Sequence, residues 1–303
     1  MQNNLTAPFR LRCGRELPVS AFLAPLEGVM TPHFIKAADS LELLDVWMAP
    51  FMPVTPGAAP SKGAIRKRLA PFNEGGATLV AQILGKNPET NAVCAAHMVE
   101  AGIKFISLNA GCPSGEVLRS GSGGALLKNP TLFARIIDAC LKAIDGRAAL
   151  IVKLRSGWSN PKEMETLIPL VRDSGASAAI LHFRTVEENY SPASGAQARI
   201  ALAKSLAGDM PLIGNGDIRS PEDATAMLAS TNCDGIAIGR GFMADPFLLR
   251  RILNRPAPPL DEGRKIFLEA MKAAGCKGKA KGNILELAKA MYGQESNTFK
   301  ELL

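Results

Sequence analysis

The 303-residue chain carries 35 Lys and Arg against 28 Asp and Glu, a formal net charge of +7, and 47% of its residues are hydrophobic. That apolar fraction is enough for a large core, yet no apolar run reaches the roughly 18 residues that span a bilayer, and the N-terminus lacks a signal-peptide core. We therefore expect a globular cytoplasmic protein. Its six cysteines show no metal or disulfide spacing, which predicts reduced thiols.

Eight short β-rich runs recur along the chain. In order they are "FLAP" (22–25), "DVWMAPF", "TLVAQIL", "KFISLN", "ALIVKLR", "AAILHF", "PLIGN" and "GIAIG". Helical patterns lie between most of them, and five open with proline near the first turn, where a missing amide hydrogen is tolerated. These five are "PHFIKAADSLE", "PETNAVCAAHMVEAG", "PTLFARIIDACLKAI", "PKEMETLIPLVRDSG" and "PEDATAMLAST".

The alternation predicts an α/β fold, a parallel (β/α)8 TIM barrel over about residues 17–248, because the strands are nearly continuous in apolar residues. A doubly wound open sheet is the alternative. No G-x-G-x-x-G follows the first strand, which counts against a dinucleotide-binding Rossmann half.

The sequence pattern changes after the eighth strand–helix unit. "NRPAPPLDEG" (254–263) holds three prolines and predicts a linker. "RKIFLEAMKAAG" and "NILELAKAMYG" then predict a small helical appendage packed on the barrel. We expect two domains, a catalytic barrel over residues 1–250 and a small helical domain over 260–303. Residues 250–303 hold eleven Lys and Arg against six Asp and Glu, a net +5, so the tail is predicted to bind a polyanion.

Polar and glycine residues follow seven of the eight predicted strands. They are Glu27 and Gly28, Gln82, Asn109 with Cys112, Lys153 with Arg155, His182 with Arg184, Asn215 with Asp217, and Gly239 with Arg240. A single such residue often serves only packing or loop carbonyls. Active sites of parallel barrels lie at the carboxyl ends of the strands, so the convergence of seven ends predicts a site there.

The last two units end in glycine-rich turns, "IGNGDIRSPEDA" and "DGIAIGRGFMADP". Backbone amides after the seventh and eighth strands of such barrels, with a helix N-terminus, commonly hold a phosphate. A tight turn that needs glycine for positive φ is the alternative explanation. Arg240 favours the phosphate, because its guanidinium offers a fork of donors that a turn does not require.

Cys112 lies in a long glycine-rich connection, "GCPSGEVLRSGSGGALLKNP" (111–130). Such loops in compact domains are typically lids or binding loops. As a nucleophile, Cys112 would need a nearby base, and His182 is the one histidine outside helical segments. Alternatively the thiol, with an ordinary pKa of about 8.5, stays protonated at pH 7 and donates a proton to a developing carbanion. Beside a phosphate-bearing cofactor, such an acid suggests a reduction.

Eight motifs fall in the order and spacing of a known family. "LAPLEGV", "LVAQILG", "LNAGCPS", "GSGGALLKNP", "VKLRSGW", "HFRT", "NGDI" and "DGIAIGRG" resemble the motif series of the tRNA-dihydrouridine synthases from about Phe22 to Pro246. The resemblance implies an FMN-containing barrel that reduces the C5–C6 bond of uridine in tRNA, with NADPH or NADH as electron donor. It also implies a C-terminal helical domain that binds tRNA. "LEGV" and "HFRTVEENY" are similar to the bacterial C-type subgroup.

The resemblance also implies roles for individual residues. The proton donor of the family falls on Cys112. The flavin contacts fall on Pro25, Leu26, Glu27, Gln82, Lys153, His182, Asn215, Gly216, Asp217, Gly239 and Arg240. Lys153 would stabilise the reduced flavin, and His182 would help to hold the phosphate. We assign substrate binding to Asn109, Arg155 and Arg184 and, for the RNA phosphates, to Lys277, Lys279 and Lys281.

Three features depart from the family pattern. Leu26 stands where methionine is usual, a volume-conserving change. Phe183 replaces a small residue, which questions the clearance for flavin or substrate at that point. The tail after Pro259 is shorter than the usual helical domain, which predicts a reduced or displaced tRNA footprint.

Other functions fit parts of this pattern. They are an FMN barrel acting on a free pyrimidine, as dihydroorotate dehydrogenase does, a non-catalytic RNA-binding barrel, and a phosphosugar barrel enzyme without flavin. The basic tail and the motif order count against the first, and Cys112, Lys153 and Arg240 together count against a bare scaffold. We expect a monomeric enzyme that binds tRNA, without a membrane or a metal partner.

Overall fold

The computed structural model describes residues 5–276 and 281–300. The strands of this part are β1 (Phe9–Arg10), β2 (Glu16–Leu17), β3 (Ala21–Leu23), β4 (Val46–Met48), β5 (Met52–Pro53), β6 (Thr78–Leu84), β7 (Phe105–Ala110), β8 (Ala149–Arg155), β9 (Ala178–His182), β10 (Leu212–Asn215) and β11 (Gly235–Ile238). Its helices are α1 (Pro32–Ser40), α2 (Lys62–Leu69), α3 (Pro88–Glu100), α4 (Gly115–Arg119), α5 (Pro130–Ile144), α6 (Met164–Asp173), α7 (Ala196–Ala207), α8 (Pro221–Thr231), α9 (Arg240–Ala244), α10 (Leu248–Ile252), α11 (Leu260–Ala273), α12 (Lys281–Tyr292) and α13 (Asn297–Lys300).

Eight parallel strands close into a barrel. β3, β4 and β6 to β11 pair in sequence, and β11 pairs with β3 to complete the ring. The eight predicted runs coincide with these strands, which confirms the TIM barrel. β5 is an addition that pairs with the carboxyl half of β6, and β1 and β2 form an antiparallel hairpin ahead of the barrel.

The predicted proline starts are confirmed in the helices. Pro32, Pro88, Pro130 and Pro221 each open a helix, and the side chain of the residue before each proline accepts a backbone hydrogen bond as an N-cap. A cap of this kind is worth about 1 kcal/mol, and the proline restricts the first turn to helical φ. The "PKEMETL" segment differs, since Pro161 opens a short 3₁₀ turn and α6 begins at Met164.

The helical appendage packs against the barrel through aromatic side chains. Phe267 of α11 is fully buried, with its ring centroid 5.4 Å from that of Phe34 in α1 and 6.1 Å from that of Phe242 in α9. The packing that the sequence predicts is therefore present. The linker is shorter than predicted, because α11 already begins at Leu260. None of the helices in the described ranges is long and apolar enough to cross a bilayer.

Candidate active site

A cavity of about 330 Å³ opens at the carboxyl ends of the barrel strands, within the volume range of small-molecule sites. Fourteen predicted site residues line it: Pro25, Leu26, Glu27, Gln82, Asn109, Cys112, Lys153, Arg155, His182, Asn215, Gly216, Asp217, Gly239 and Arg240. The strand register explains this convergence. Asn109 lies opposite Lys153 in the β7–β8 pair. His182 lies opposite Arg155 on one side and Asn215 on the other.

Lys153 is a half-buried cation on β8 with no acidic or hydrogen-bonding partner within the described part of the chain. Burial lowers its pKa to about 8, and the Arg155 guanidinium lowers it as well, whereas the Cys112 thiol acts in the opposite direction. A desolvated charge without a partner is unfavourable. The cavity therefore favours an anionic or electron-rich ligand beside Lys153.

His182, at the end of β9, is buried and neutral. Burial lowers its pKa well below 6.5, and the surrounding lysine and arginine side chains, with Arg155 the strongest, lower it further. Its Nδ1 accepts a hydrogen bond from the Arg184 amide (3.3 Å), so the ring proton lies on Nε2. A neutral ring that offers an N–H donor among cations suits an anion such as phosphate.

Asp217 balances part of this positive charge. Arg184 donates two hydrogen bonds to its carboxylate (3.0 and 2.7 Å), Arg240 donates a third (2.9 Å), and Arg184 contributes most to holding the pKa of Asp217 below its usual value. The Nε of Arg184 donates to the Ser191 carbonyl (2.7 Å), and the side chain is 5% exposed. Arg184 is thus engaged within the protein behind the cavity wall, whereas Arg240 lines the cavity and is 45% exposed.

The Cys112 thiol is half-buried in the cavity wall. Burial raises its pKa, and this effect is larger than the lowering by the Ser114 amide and by Lys153. The thiol is therefore protonated at neutral pH. A nucleophilic cysteine needs a base within hydrogen-bond reach, but the Nδ1 of His182 is bound to the Arg184 amide. These observations favour the proton-donor alternative for Cys112.

Asn109, Gln82 and Arg155 form a buried polar network beneath the Cys112 loop. The Oδ1 of Asn109 accepts from the amides of Gly111 and Cys112, both at 3.0 Å, and its Nδ2 donates to the Oε1 of Gln82 (2.9 Å). Arg155 is 2% exposed, and its Nε donates to the Gly111 carbonyl (3.0 Å). The side-chain atoms that sequence reasoning assigned to the substrate are therefore largely bonded to the protein itself.

Tyr190 is a cavity residue that sequence reasoning missed. Its ring is 54% exposed, and the guanidinium carbons of Arg155 and Arg240 lie 5.3 and 5.0 Å from its centroid. The sequence feature that could have identified Tyr190 is an aromatic residue in the polar connection after the sixth predicted strand. Phe51, Arg219 and Met243 also line the cavity without having been singled out.

Phe183 does not obstruct the cavity. Its ring is buried and stacks on His182 at 5.5 Å between centroids, outside the set of cavity-lining residues. Gly216, with φ of +126°, makes room for it, because a Cβ there would lie 2.6 Å from the Phe183 ring. The unusual phenylalanine is thus accommodated behind His182, away from the ligand space.

Three lysines of the tail are predicted to contact RNA. Lys277 and Lys279 lie outside the described residues, as does the side chain of Lys281 at the start of α12. Over residues 5–276 and 281–300, no group of three His, Cys, Asp or Glu side chains is placed to hold a metal ion. The six cysteines all lie within the described residues and none forms a disulfide; Cys13 is exposed.

The sequence comparisons with known proteins agree on one family. The sequence model of the family described as "Dihydrouridine synthase (Dus)" matches residues 22–289. The tRNA-dihydrouridine(16) synthase of Ralstonia nicotianae is 32% identical over 241 residues, covering 78% of this chain and 73% of the relative. The tRNA-dihydrouridine synthase B of Pseudomonas putida is 33% identical over 200 residues, covering 63% and 58%.

Solved structures with the same fold have much lower sequence identity. Histamine dehydrogenase from Rhizobium sp. 4-9 matches with a TM-score of 0.64 at 14% identity, over 90% of this chain and 51% of that chain. TcOYE with pHBA matches with a TM-score of 0.60 at 13% identity, over 86% and 96%. At these identities the likeness establishes the barrel fold alone.

Proposed function

The chain belongs to the dihydrouridine synthase family, and we propose that this oxidoreductase reduces uridine to 5,6-dihydrouridine in tRNA with FMN bound in the cavity. One observation carries the proposal: a protonated thiol, an unpaired lysine and a neutral histidine among arginines line the same cavity. The thiol can supply a proton, and the other groups can hold an anionic cofactor. A scaffold or a flavin-free sugar enzyme has no use for all three together.

The residues present fit FMN. Lys153, which has no protein partner among the described residues, would bind the flavin ring. His182, through Nε2–H, and Arg240 would bind the phosphate, together with the backbone at Gly216 and Gly239. The buried amide of Asn215, which donates to the Ala237 carbonyl (2.7 Å), fixes the neighbouring strand ends. These assignments distribute positive charge at the two parts of FMN that carry negative charge when the cofactor is reduced.

When bound, FMN would accept a hydride from NADPH, or NADH, and transfer it to C6 of the uracil ring. Negative charge then develops at C5, and a nearby acid must neutralise it. Cys112 is suited to this step because its thiol is protonated and lines the same cavity. Proton donation by a positioned side chain is typically worth about 10²- to 10⁴-fold in rate.

Two basic surfaces would bind the tRNA backbone. One is the predicted tail cluster of Lys277, Lys279 and Lys281. The other is α2, which has four exposed cations and no acidic residue: Lys62, Arg66, Lys67 and Arg68. The Arg68 guanidinium donates to the carbonyl of Phe51 (2.9 Å), and Phe51 lines the cavity. The positive charge of α2 therefore adjoins the cavity, where phosphates of a substrate tRNA would pass.

The two parts of the chain have different roles in this proposal. We propose that residues 1–250 form the catalytic barrel and residues 260–303 a tRNA-binding domain seated on it through Phe267. Relatives named for position 16 cover 75–79% of this chain, against 62–63% for those named synthase B. Position 16 is therefore the first tRNA position to examine.

The test is anaerobic turnover with purified protein. Protein loaded with FMN is reduced by NADPH, mixed with unmodified tRNA, and followed by flavin absorbance, and the RNA is then analysed by mass spectrometry. We expect tRNA to reoxidise the flavin and to gain two mass units at one uridine. Reoxidation by orotate but not by tRNA would favour an enzyme acting on a free pyrimidine, and failure to take up FMN would refute the cofactor assignment.

A further inference from the structure

Gly111 and Cys112, which present the thiol, are hydrogen-bonded to the protein at all four of their backbone polar groups. The amides of Gly111 and Cys112 both donate to the Oδ1 of Asn109 at 3.0 Å. The Gly111 carbonyl accepts from the Nε of Arg155 (3.0 Å), and the Cys112 carbonyl accepts from the Gly124 amide (3.0 Å). Two amides and two carbonyls are thus satisfied, two of them by one asparagine.

The orientation of the Asn109 side chain is determined by this network. Backbone amides only donate, so the oxygen of the Asn109 side chain must face Gly111 and Cys112. Its Nδ2 then donates to the Oε1 of Gln82, whose own Nε2 donates to the Ser107 hydroxyl (3.2 Å). Asn109, Gln82 and Ser107 are all buried. A buried network in which each of these polar atoms has a partner rigidifies what it holds.

Arg155 ties the Cys112 loop to a second loop of the site. Besides the Gly111 carbonyl, its guanidinium binds the carbonyls of Thr185 (2.8 Å) and Asn189 (2.6 Å) through Nη1. Asn189 directly precedes Tyr190, the exposed aromatic residue of the cavity wall. Three carbonyls from two connections therefore meet on one buried guanidinium.

From these contacts we propose that Asn109 and Arg155 are positioning residues that fix the Cys112 thiol in the cavity, and that their main contribution is made through the loop rather than through the substrate. The inference rests on the proposed role of Cys112 as proton donor. Small displacements of a catalytic group reduce its effect strongly, because proton transfer requires hydrogen-bond reach in the transition state. The polar atoms of Asn109 already have protein partners, which leaves its oxygen no role in recognising the uracil.

A double-mutant cycle tests this proposal. Asn109→Ala is made in the native chain and in a Cys112→Ala chain, and flavin reoxidation by tRNA is measured in FMN-loaded, NADPH-reduced protein. We expect Asn109→Ala to slow reoxidation about 10²-fold in the native chain. In the Cys112→Ala chain it should slow the reaction by no more than about twofold, because the group that it positions is gone. Equal slowing in both chains would overturn the proposal.

The conservative variants provide a second comparison. Asn109→Asp keeps an oxygen that accepts from both amides but loses the Nδ2 donor to Gln82, so it should recover part of the rate that Asn109→Ala loses. Arg155→Lys keeps the charge but loses the fork of donors, so it should behave like Asn109→Ala in the cycle and replaces it if the alanine variant does not fold. A substrate-binding role would instead raise the tRNA concentration needed for half-maximal rate, in both Cys112 backgrounds.

A measurement without tRNA separates this inference from the proposed function. In a Cys13→Ser background, which removes the exposed thiol, the pH dependence of Cys112 alkylation by iodoacetamide reports the pKa of the thiol. Asn109→Ala and Arg155→Lys should lower that pKa and speed alkylation, because a released loop exposes the thiol to water. Unchanged profiles would overturn the proposal even if tRNA is reduced. Changed profiles would support it even if tRNA is not the substrate.

Discussion

The affinity of the protein for FMN should fall as the pH rises above about 8, because Lys153 loses its proton. Burial, reinforced by Arg155, lowers the pKa of Lys153 from 10.5 to about 8. A negatively charged ligand group favours the ammonium form, so binding takes up a proton wherever the free protein has released it. At pH 9 about one tenth of the lysine is charged, and the dissociation constant of FMN should be about tenfold higher than at pH 7.

The assay is an FMN titration followed by the quenching of flavin fluorescence between pH 7.5 and 9. This range keeps the FMN phosphate a dianion, since a phosphate monoester has its second pKa at about 6. Lys153→Met should bind FMN more weakly at pH 7.5 and show a flat profile up to pH 9. Lys104→Met is the matched control, because Lys104 is exposed at the opposite end of the barrel, and it should keep the native slope. A flat native profile, or an unchanged slope in Lys153→Met, would refute the role of Lys153.

Three further predictions concern Cys112, helix α2 and Glu188. Cys112→Ala should leave FMN binding and NADPH oxidation intact, while the rate of flavin reoxidation by tRNA falls about 10²- to 10⁴-fold. Cys112→Ser should recover little of that rate. Full tRNA reduction by the alanine variant would mean that Cys112 has only a structural role. Replacing Arg66 and Lys67 of α2 by Gln should reduce the slope of log tRNA affinity against log salt concentration by about 0.7 to 0.9 for each lost phosphate contact. An unchanged slope would mean that α2 is an ordinary solvated surface. The hydrogen bonds from Arg199 hold the pKa of Glu188 at about 2, so the stability that its carboxylate contributes is complete above pH 4.5 and is lost as the pH falls toward 2. Glu188→Gln should therefore lose less stability than the native protein between pH 6 and pH 3, as measured by urea unfolding. An equal loss in both proteins would contradict this.

The salt-dependence experiment has a charge-matched control. Lys104 and Lys142 are exposed lysines away from the cavity, one before β7 and one near the end of α5. Replacing both by Gln removes the same charge as the α2 double variant and should leave the slope nearly unchanged. Triple substitution of Lys277, Lys279 and Lys281 by Ala tests the tail cluster in the same assay. Flavin reduction by NADPH should survive all of these substitutions, because none of the described residues among them lines the cavity.

The barrel strands were predictable from the sequence because each is an apolar run bounded by turns, and the barrel closes only if all eight pair. Helices with a proline start were predictable for the same local reason, since the proline and the preceding cap fix the first turn. α7 was not identified. Its sequence, "AQARIALAKSLA", spreads alanines around the helix, so it gives little periodic contrast between buried and exposed faces. α2 was missed because its apolar positions are few and its charge dominates.

The positions of the site residues were predictable, but their contacts were not. The rule that strand ends converge brought eleven named residues to one cavity, and the family resemblance added Pro25, Leu26 and Gly216. Whether a polar side chain at such an end faces the ligand or a loop depends on partners that are distant in sequence. Arg184 illustrates this, because its partner Asp217 lies 33 residues away and leaves the guanidinium 5% exposed. Tyr190 was missed for the opposite reason, because its place in the wall depends on the path of a loop.

The electrostatic balance of the cavity connects the cofactor to the proton donor. Lys153 and Arg155 both lower the pKa of the Cys112 thiol, so on their own they favour the thiolate, which cannot donate a proton. Burial opposes them and prevails, and burial depends on the loop being held closed by Asn109 and Arg155. A negatively charged cofactor beside Lys153 would cancel part of the lysine's influence and so favour the protonated thiol. Arg155 therefore has two opposed effects on the pKa of the thiol. Its charge lowers that pKa, whereas its hydrogen bond to the Gly111 carbonyl maintains the burial that raises it. Only a variant that keeps the charge but loses the guanidinium donors, such as Arg155→Lys, separates the two effects.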